Sequence, residues 1–287
     1  MKVQMQGQSL VLTAVSSFDA CQILECGQCF RFEKLDENHY KIIALGKVLE
    51  IRQENDIITL SPCTVGEFET LWKNYFDLNR DYDLVKKTIS HNDGVMEAAI
   101  AHAPGIRVLN QEFWEMIISF IISQNNRIPM IKKVIENISR QYGTPIDGGF
   151  AFPKAHRLDE ASIDDLMLLK TGFRAKYIKD AVTKSLMGQL DEASIKALPT
   201  PEARKQLTSV YGIGDKVADC VMLFGMGRTD VFPADVWIKR VISHLYYNGH
   251  DIPLKELQAF AADKWGENAG LAQQYLFHYA RLNKIGA

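Results

Sequence analysis

The hydrophobic period of this chain changes once, and that change limits the folds open to it. Over residues 9–60 apolar side chains alternate with polar ones, as at Leu10 and Leu12, Phe30 and Phe32, and Tyr40 and Ile42. A period of two puts them on one face of β-strands. Two polar turns, at residues 36–38 and 54–56, divide the runs into antiparallel hairpins. From Val65 the spacing becomes helical, with Phe68, Leu71, Trp72, Tyr75 and Phe76 on the same face. After Val108 nearly every apolar run is helical. Stripes at Phe113–Ile121 and Ile131–Ile138 come first, then helices at Ser162–Leu169, Ala175–Met187, Pro201–Val210, Lys216–Phe224, Val236–Tyr247, Leu254–Trp265 and Gly270–Leu282. These patterns predict an α+β fold. An N-terminal antiparallel-sheet domain (1–107) is followed by an all-helical domain (108–287), with a helix-hairpin-helix at about 202–225.

Composition narrows the function classes. No apolar run reaches the roughly 18 residues of a membrane span. The start, Met1–Gln4, lacks a signal-peptide core. The expectation is an intracellular protein of the cytoplasm or nucleoid, with no membrane partner. The net charge of -2 argues against gripping nucleic acid by bulk electrostatics. A DNA partner would need local devices such as helix N-termini. Five cysteines, an odd number, point to free thiols. Cys21, Cys26 and Cys29 have the spacing of a plant-type iron–sulfur site. They read more simply as small, half-buried side chains at the entry to a strand.

The most informative stretch is Leu207 to Arg240, LTSVYGIGDKVADCVMLFGMGRTDVFPADVWIKR. One helix ends near Val210, Gly212 and Gly214 form a tight turn, and a second helix opens at Asp215 or Lys216. Such a turn aims backbone N–H groups outward at a helix start, an anion site suited to a DNA phosphate. A dinucleotide fingerprint is excluded by context: no strand precedes the turn, and Val217 stands where the third glycine belongs. Lys216 is either an exposed surface lysine or an amine nucleophile able to form a Schiff base. Asp235 follows 19 residues later and precedes a helix. It is a natural N-cap, and it could also stabilise a cationic sugar.

These residues resemble the helix-hairpin-helix glycosylase superfamily, and within it most closely the 8-oxoguanine DNA glycosylases with AP lyase activity. The resemblance rests on GIGDKVADC and VFPADVW, and extends to CGQCFRF at 26–32, YFDLNRDYDL at 75–84, SFIISQNNRI at 119–128, TGFRAKYI at 171–178 and LAQQYLFHYAR at 271–281. It implies a bifunctional enzyme that flips a damaged purine out of duplex DNA. Lys216 would attack the anomeric carbon and Asp235 would stabilise the transition state. Gly27 would offer a carbonyl to the N7 hydrogen that 8-oxoguanine has and guanine lacks. Gln273 would read the Watson–Crick edge, between Phe277 and Cys220. Asn125 would fill the gap in the stack, Phe173 would act as wedge and Arg174 would contact the orphaned cytosine. Gly212, Gly214 and Val217 would belong to the phosphate-binding hairpin. The resemblance implies no required cofactor and no catalytic metal, allows a structural monovalent cation at the hairpin, and makes a monomer the default. Each assignment has an ordinary counterpart: Phe277 and Cys220 as core, Gln273 as a solvent-facing residue, Asn125 or Asn126 as a helix cap.

Departures matter as well. Met130 stands where the family has an arginine to the cytosine, and a thioether donates no hydrogen bond to a base. Weaker discrimination of the opposite base is expected. Phe173 replaces a tyrosine, Trp237 a histidine and Phe224 a methionine. No cysteine follows Cys220, so the four-cysteine cluster of the endonuclease III branch is missing. Two competing functions remain open on sequence alone: a helix-hairpin-helix glycosylase for another damaged base, or a non-catalytic DNA-binding module.

Overall fold

A computed structural model describes residues 1–286. Six strands form one antiparallel sheet: β1 (Lys2–Gln6), β2 (Ser9–Thr13), β3 (Phe32–Asp36), β4 (His39–Ala44), β5 (Lys47–Glu54) and β6 (Ile57–Ser61), in the order β1-β2-β6-β5-β4-β3. The alternation seen in the sequence sets the register. Tyr40 pairs with Ile51, Ile42 with Leu49, and Ile51 with Leu60, all five buried. Slipping one strand by a residue would turn that set to solvent. Strand β1 has no such signature, because all five of its residues are exposed on the edge.

One sheet face is covered by α1 (Ala20–Glu25) and by an irregular helical stretch, 65–75. Phe68, Trp72, Tyr75 and Phe76 fill that core as expected. A π-helical turn at Phe68–Trp72 takes the first residue out of phase, and Val65 is exposed.

The rest of the chain is helical, apart from the short hairpin β7–β8 (Pro145–Ile146, Gly149–Phe150). The helices are α2 (Tyr82–Ile89), α3 (Gly94–His102), α4 (Phe113–Ser123), α5 (Ile128–Tyr142), α6 (Ala155–Asp159), α7 (Ile163–Leu168), α8 (Ala175–Leu186), α9 (Glu192–Ala197), α10 (Thr200–Thr208), α11 (Asp215–Met226), α12 (Val236–Tyr246), α13 (Leu254–Trp265) and α14 (Ala269–Leu282). Helices α4 and α11 are buried along most of their length and form the axis of the body. Among the described residues no helix is long and apolar enough to cross a membrane.

The division expected after residue 107 does not coincide with the division between the two cores. Tyr82, Val85, Ile89, Met96 and Ala99, on α2 and α3, pack into the helical core. The sheet core draws on residues 10–76 and on Leu109. Charged loops around α2 and α3 hid this attachment, because their apolar faces are short.

The strap between α1 and β3 crosses from one core to the other. Cys26 lies in the helical core and Cys29 in the sheet core. The Cys26 thiol donates to the Ile23 carbonyl at 3.1 Å and the Cys29 thiol to the Leu24 carbonyl at 3.6 Å, as ordinary buried side chains do. Among the described residues no three His, Cys, Asp or Glu side chains are arranged to hold a metal.

Candidate active site

The hairpin between α10 and α11 is shaped by Gly212, at φ +83°. A Cβ there would lie 2.4 Å from the Tyr177 ring, so both conformation and space demand glycine. Tyr211 donates its N–H to Asp180 Oδ2 at 2.7 Å, which ties the hairpin to α8. Gly214 is the N-cap of α11, and no side chain caps that helix. Space around the Gly214 Cα is open. The first-turn amides thus remain free to meet an anion. The Val217 side chain is buried, so its backbone N–H alone is available to DNA.

Lys216, in the first turn of α11, aims inward. Its Nζ lies 5.8 Å from the centre of the Phe120 ring. Phe120 stacks on Phe224 with centroids 5.5 Å apart. Asp235 caps α12, accepting from Ile238 N–H at 2.9 Å, as its place before that helix foretold. Lys216 and Asp235 line one cavity of about 70 Å³ with Gly27, Cys220, Gln273 and Phe277. Six residues spread over 251 positions of sequence are thereby brought together. Burial pushes the Cys220 thiol up to about 11, against the opposing pull of the Lys216 ammonium. It remains a neutral thiol at physiological pH.

Two acceptors in this cavity are unclaimed. Gln273 is 5% exposed, and its Oε1 is buried with no hydrogen-bond partner. This rules out a solvent-facing role, and leaving such an atom unpaired costs about 1–3 kcal/mol. The second is the Gly27 carbonyl. Around it, Arg281 Nη2 donates to the Glu25 carbonyl, Gln274 Nε2 to Cys26 O at 3.0 Å, and Gln111 Nε2 to Gln28 O at 2.8 Å. Among the described residues no donor reaches the carbonyl of Gly27 itself. Gly27 sits at φ +92°, and a Cβ there would be 3.1 Å from Phe277 Cε1. Helix α14 thus supplies Gln273 and Phe277 to the pocket, and Gln274 and Arg281 to hold the strap opposite.

The second part of the site follows α4. Asn125 is exposed with φ +47°. The capping role falls to Asn126, whose Nδ2 donates to Ile122 O at 3.2 Å. Asn125 is left free to project. Phe173 is 54% exposed, an unusual place for a large apolar ring. Arg174 differs from expectation. It is 8% exposed and points into its own loop, Nε to Gln124 O at 2.9 Å, Nη2 to Asn125 O at 2.9 Å and Nη1 to Thr171 O at 3.2 Å. In this structure it is a strut for the Asn125 backbone, not an exposed hand for a base. Met130 is 41% exposed on the first turn of α5.

Residues 10–117 match the family model for the 8-oxoguanine DNA glycosylase N-terminal domain, and residues 118–267 that for HhH-GPD superfamily base excision DNA repair proteins. This chain belongs to the HhH-GPD superfamily. It is 30% identical to the N-glycosylase/DNA lyase of Saccharomyces cerevisiae, over 92% of this chain and 84% of that protein. Among solved structures it is similar to the Clostridium acetobutylicum 8-oxoguanine glycosylase/lyase in complex with double-stranded DNA containing cytosine opposite the lesion, at 39% identity, TM-score 0.95 and 99% coverage of both chains. MBOgg1, solved with a low-affinity DNA ligand, matches at 40% identity, the same TM-score and 99% of both chains.

As a member of this superfamily the chain also uses residues that sequence reasoning passed over. Gln28 is fully buried. Its side chain holds Ile23 O and Arg107 O at 2.8 and 2.7 Å and accepts from Leu109 N–H at 2.8 Å. Gln111 and Gln274 complete the mounting of the strap, and Tyr177 fixes the hairpin. The only sequence signal of the three glutamines is a polar amide inside an apolar pattern.

Proposed function

We infer that this protein is a bifunctional DNA glycosylase and AP lyase that excises 8-oxoguanine from duplex DNA. The observation that carries this reading is the pair of unclaimed acceptors, Gly27 O and Gln273 Oε1, in one pocket with an amine and a carboxylate. The N7 hydrogen of 8-oxoguanine satisfies the Gly27 carbonyl. Guanine has an acceptor there and would leave two acceptors facing each other. Gln273 reads the Watson–Crick edge, with Phe277 and Cys220 on the two faces of the base.

The hairpin amides hold a phosphate, Phe173 wedges the stack, and Asn125 fills the vacated space. The cavity of about 70 Å³ has room for roughly two waters at ~30 Å³ each, so it widens as the base enters. Phe277, half-exposed at the rim against Trp237, is the side chain placed to yield. Lys216 attacks the anomeric carbon and the base leaves. Asp235 offsets the positive charge that develops on the sugar. The resulting imine acidifies the adjacent carbon and permits β-elimination of the 3′ phosphate. None of these steps draws on a cofactor. The Thr208, Gly212 and Ile213 carbonyls accept no hydrogen bond among the described residues, so the hairpin retains oxygens suited to a structural monovalent cation. With Met130 in place of an arginine, excision proceeds with weak preference for the opposite base. A hundredfold preference for cytosine over A, G or T would overturn that point. The enzyme acts as a monomer inside the cell.

Borohydride trapping on a duplex with one 8-oxoguanine opposite cytosine tests the main reading. The wild type gives a covalent adduct and Lys216→Gln gives none while still binding the duplex. Absence of both adduct and base release from the wild type would overturn it.

A further inference from the structure

A second cleft lies where the sheet meets the helical body. Its volume is about 360 Å³, within the range of roughly 300–1,000 Å³ typical of small-ligand sites. Strands β3 and β4, helix α5 and the β7–β8 hairpin form its walls. Five cationic side chains, Arg31, Lys41, Lys132, Lys133 and Arg140, line it against two carboxylates, Glu33 and Glu136. Glu136 is already engaged by Arg140 Nε at 2.6 Å on the same helix. Among the described residues, Lys132 and Lys133 have no carboxylate partner. A chain of net charge -2 thus gathers an excess of three positive charges in one place.

Arg31 gives the cleft a built interior. Its side chain is 5% exposed. Nη2 donates to the Phe150 carbonyl, and Nη1 lies 3.5 Å from Glu115 Oε2. Nε is buried with no partner. Glu115 is a weak counter-ion, because burial pushes its carboxyl up to about 7. A buried cation with an unpaired donor and a weak counter-ion is costly, and an anion in the cleft it lines would offset its charge. Beside it, the Lys132 ammonium rests 3.6 Å from the centre of the Phe32 ring. Phe32 and Ile43 give the cleft an apolar floor. Gly149 packs so closely on Ile43 that a Cβ would lie 2.5 Å from its Cδ1, so at that point the hairpin meets the sheet with backbone alone.

We propose that this cleft binds a phosphate ester through Arg31, Lys132 and Lys133. The charge excess suits a ligand with two or three negative charges, and the apolar floor and volume suit a nucleotide unit. Two sources share that chemistry. One is DNA flanking the lesion: α5 starts just after the Asn125 loop, and Lys132 lies about 6 Å along its axis at 1.5 Å per residue. The other is a free nucleotide. The proposal holds whichever base the lesion pocket excises.

The test compares the wild type with the double variant Lys132→Gln, Lys133→Gln. Calorimetry with ADP and with inorganic pyrophosphate reads the free-ligand source, and binding to the wild type at least tenfold tighter than to the variant supports it. Duplex affinity across a salt series reads the DNA source. A short duplex ending at the Asn125 loop is compared with one extended past it. With the long duplex, the slope of log K against log salt falls by about two in the variant, at ~0.9 per lost contact. The short duplex shows no change. Glu33→Gln serves as a second variant. It removes a carboxylate and is expected to tighten binding severalfold, a direction that a folding defect does not imitate. No binding of either small anion, together with unchanged salt slopes for both duplexes, would overturn the proposal. Borohydride trapping on the short duplex reports the glycosylase reading separately, so failure of one is distinguishable from failure of the other.

Discussion

The lesion pocket draws its side chains mostly from long buried helices, whereas the loop after α4 presents Asn125 on exposed, left-handed backbone. In the pocket, Gln273 and Cys220 are held by the packing of α14 and α11, and the Gln273 Oε1 is left unpaired beside the free Gly27 carbonyl. At the loop the backbone is secured instead, by three groups of one arginine, while the side chain that projects is free. Chemistry that demands sub-ångström placement sits on rigid elements. Opening a base stack needs a protruding group on a backbone that does not yield. The pocket stores its cost as an unsatisfied acceptor, and the loop stores it as a strained φ.

The contrast can be broken by substitution, and the largest effect is expected at Gln273. Gln273→Leu should slow excision of 8-oxoguanine about a hundredfold or more, because the Watson–Crick edge of the flipped base is left unread. It should also raise stability by roughly 1 kcal/mol, because the orphaned acceptor disappears. Denaturant titration and single-turnover excision measure the two, and a clear loss of stability would mean that Gln273 is structural. Arg174→Ala sharpens the contrast from the other side. It frees three buried or half-buried carbonyls, so a loss of about 2–4 kcal/mol is expected, with excision ten- to a hundredfold slower. If stability is unchanged while affinity for cytosine-opposed lesions falls, the arginine reaches out on binding and the strut is only its resting state. Asn125→Gly comes next. The positive φ suits glycine, so stability should stay level or rise by up to about 1 kcal/mol. Loss of the plug should slow excision about tenfold.

The smallest effect is on pH dependence. Asp219, one turn along α11 from Lys216, is 1% exposed and paired with Arg204 at 2.7 Å. Burial nevertheless outweighs the arginine and raises its carboxyl to about 6. The folded state therefore holds this proton more tightly than the unfolded state. That contribution is fully present below the usual value of 3.8 and is lost as pH rises through about 6. Between pH 4 and pH 7 the wild type should lose about 1–2 kcal/mol more than Asp219→Asn. Parallel melting curves for the two proteins across that range would remove this account.

Much of this was legible in the sequence, for reasons that particular residues make plain. The Leu254–Trp265 helix is found with the bounds its periodicity gave, because its apolar stripe and the preceding proline are local signals. Lys216 and Asp235 were readable because a glycine turn and an N-cap fix their places within a few residues. The resting role of Arg174 as a strut was not legible because its partners lie about fifty residues away, at Gln124 and Asn125. Gln28 and Gln274 were missed for the same reason: a buried amide is recognised by what it touches, and those contacts span up to 248 residues. The basic cleft combines residues 31, 41, 132, 133 and 140, and a net charge averages it away.

The strap that carries Gly27 has a thermodynamic consequence. With Cys26 set in one core and Cys29 in the other, unravelling the sheet pulls on the wall of the lesion pocket. The two cores then have little freedom to open independently, and the chain should melt as one cooperative unit. Slow amide exchange in β5 and in α11 should converge on the same global free energy. A sheet that looks like an accessory would thereby set the lifetime of the recognition carbonyl.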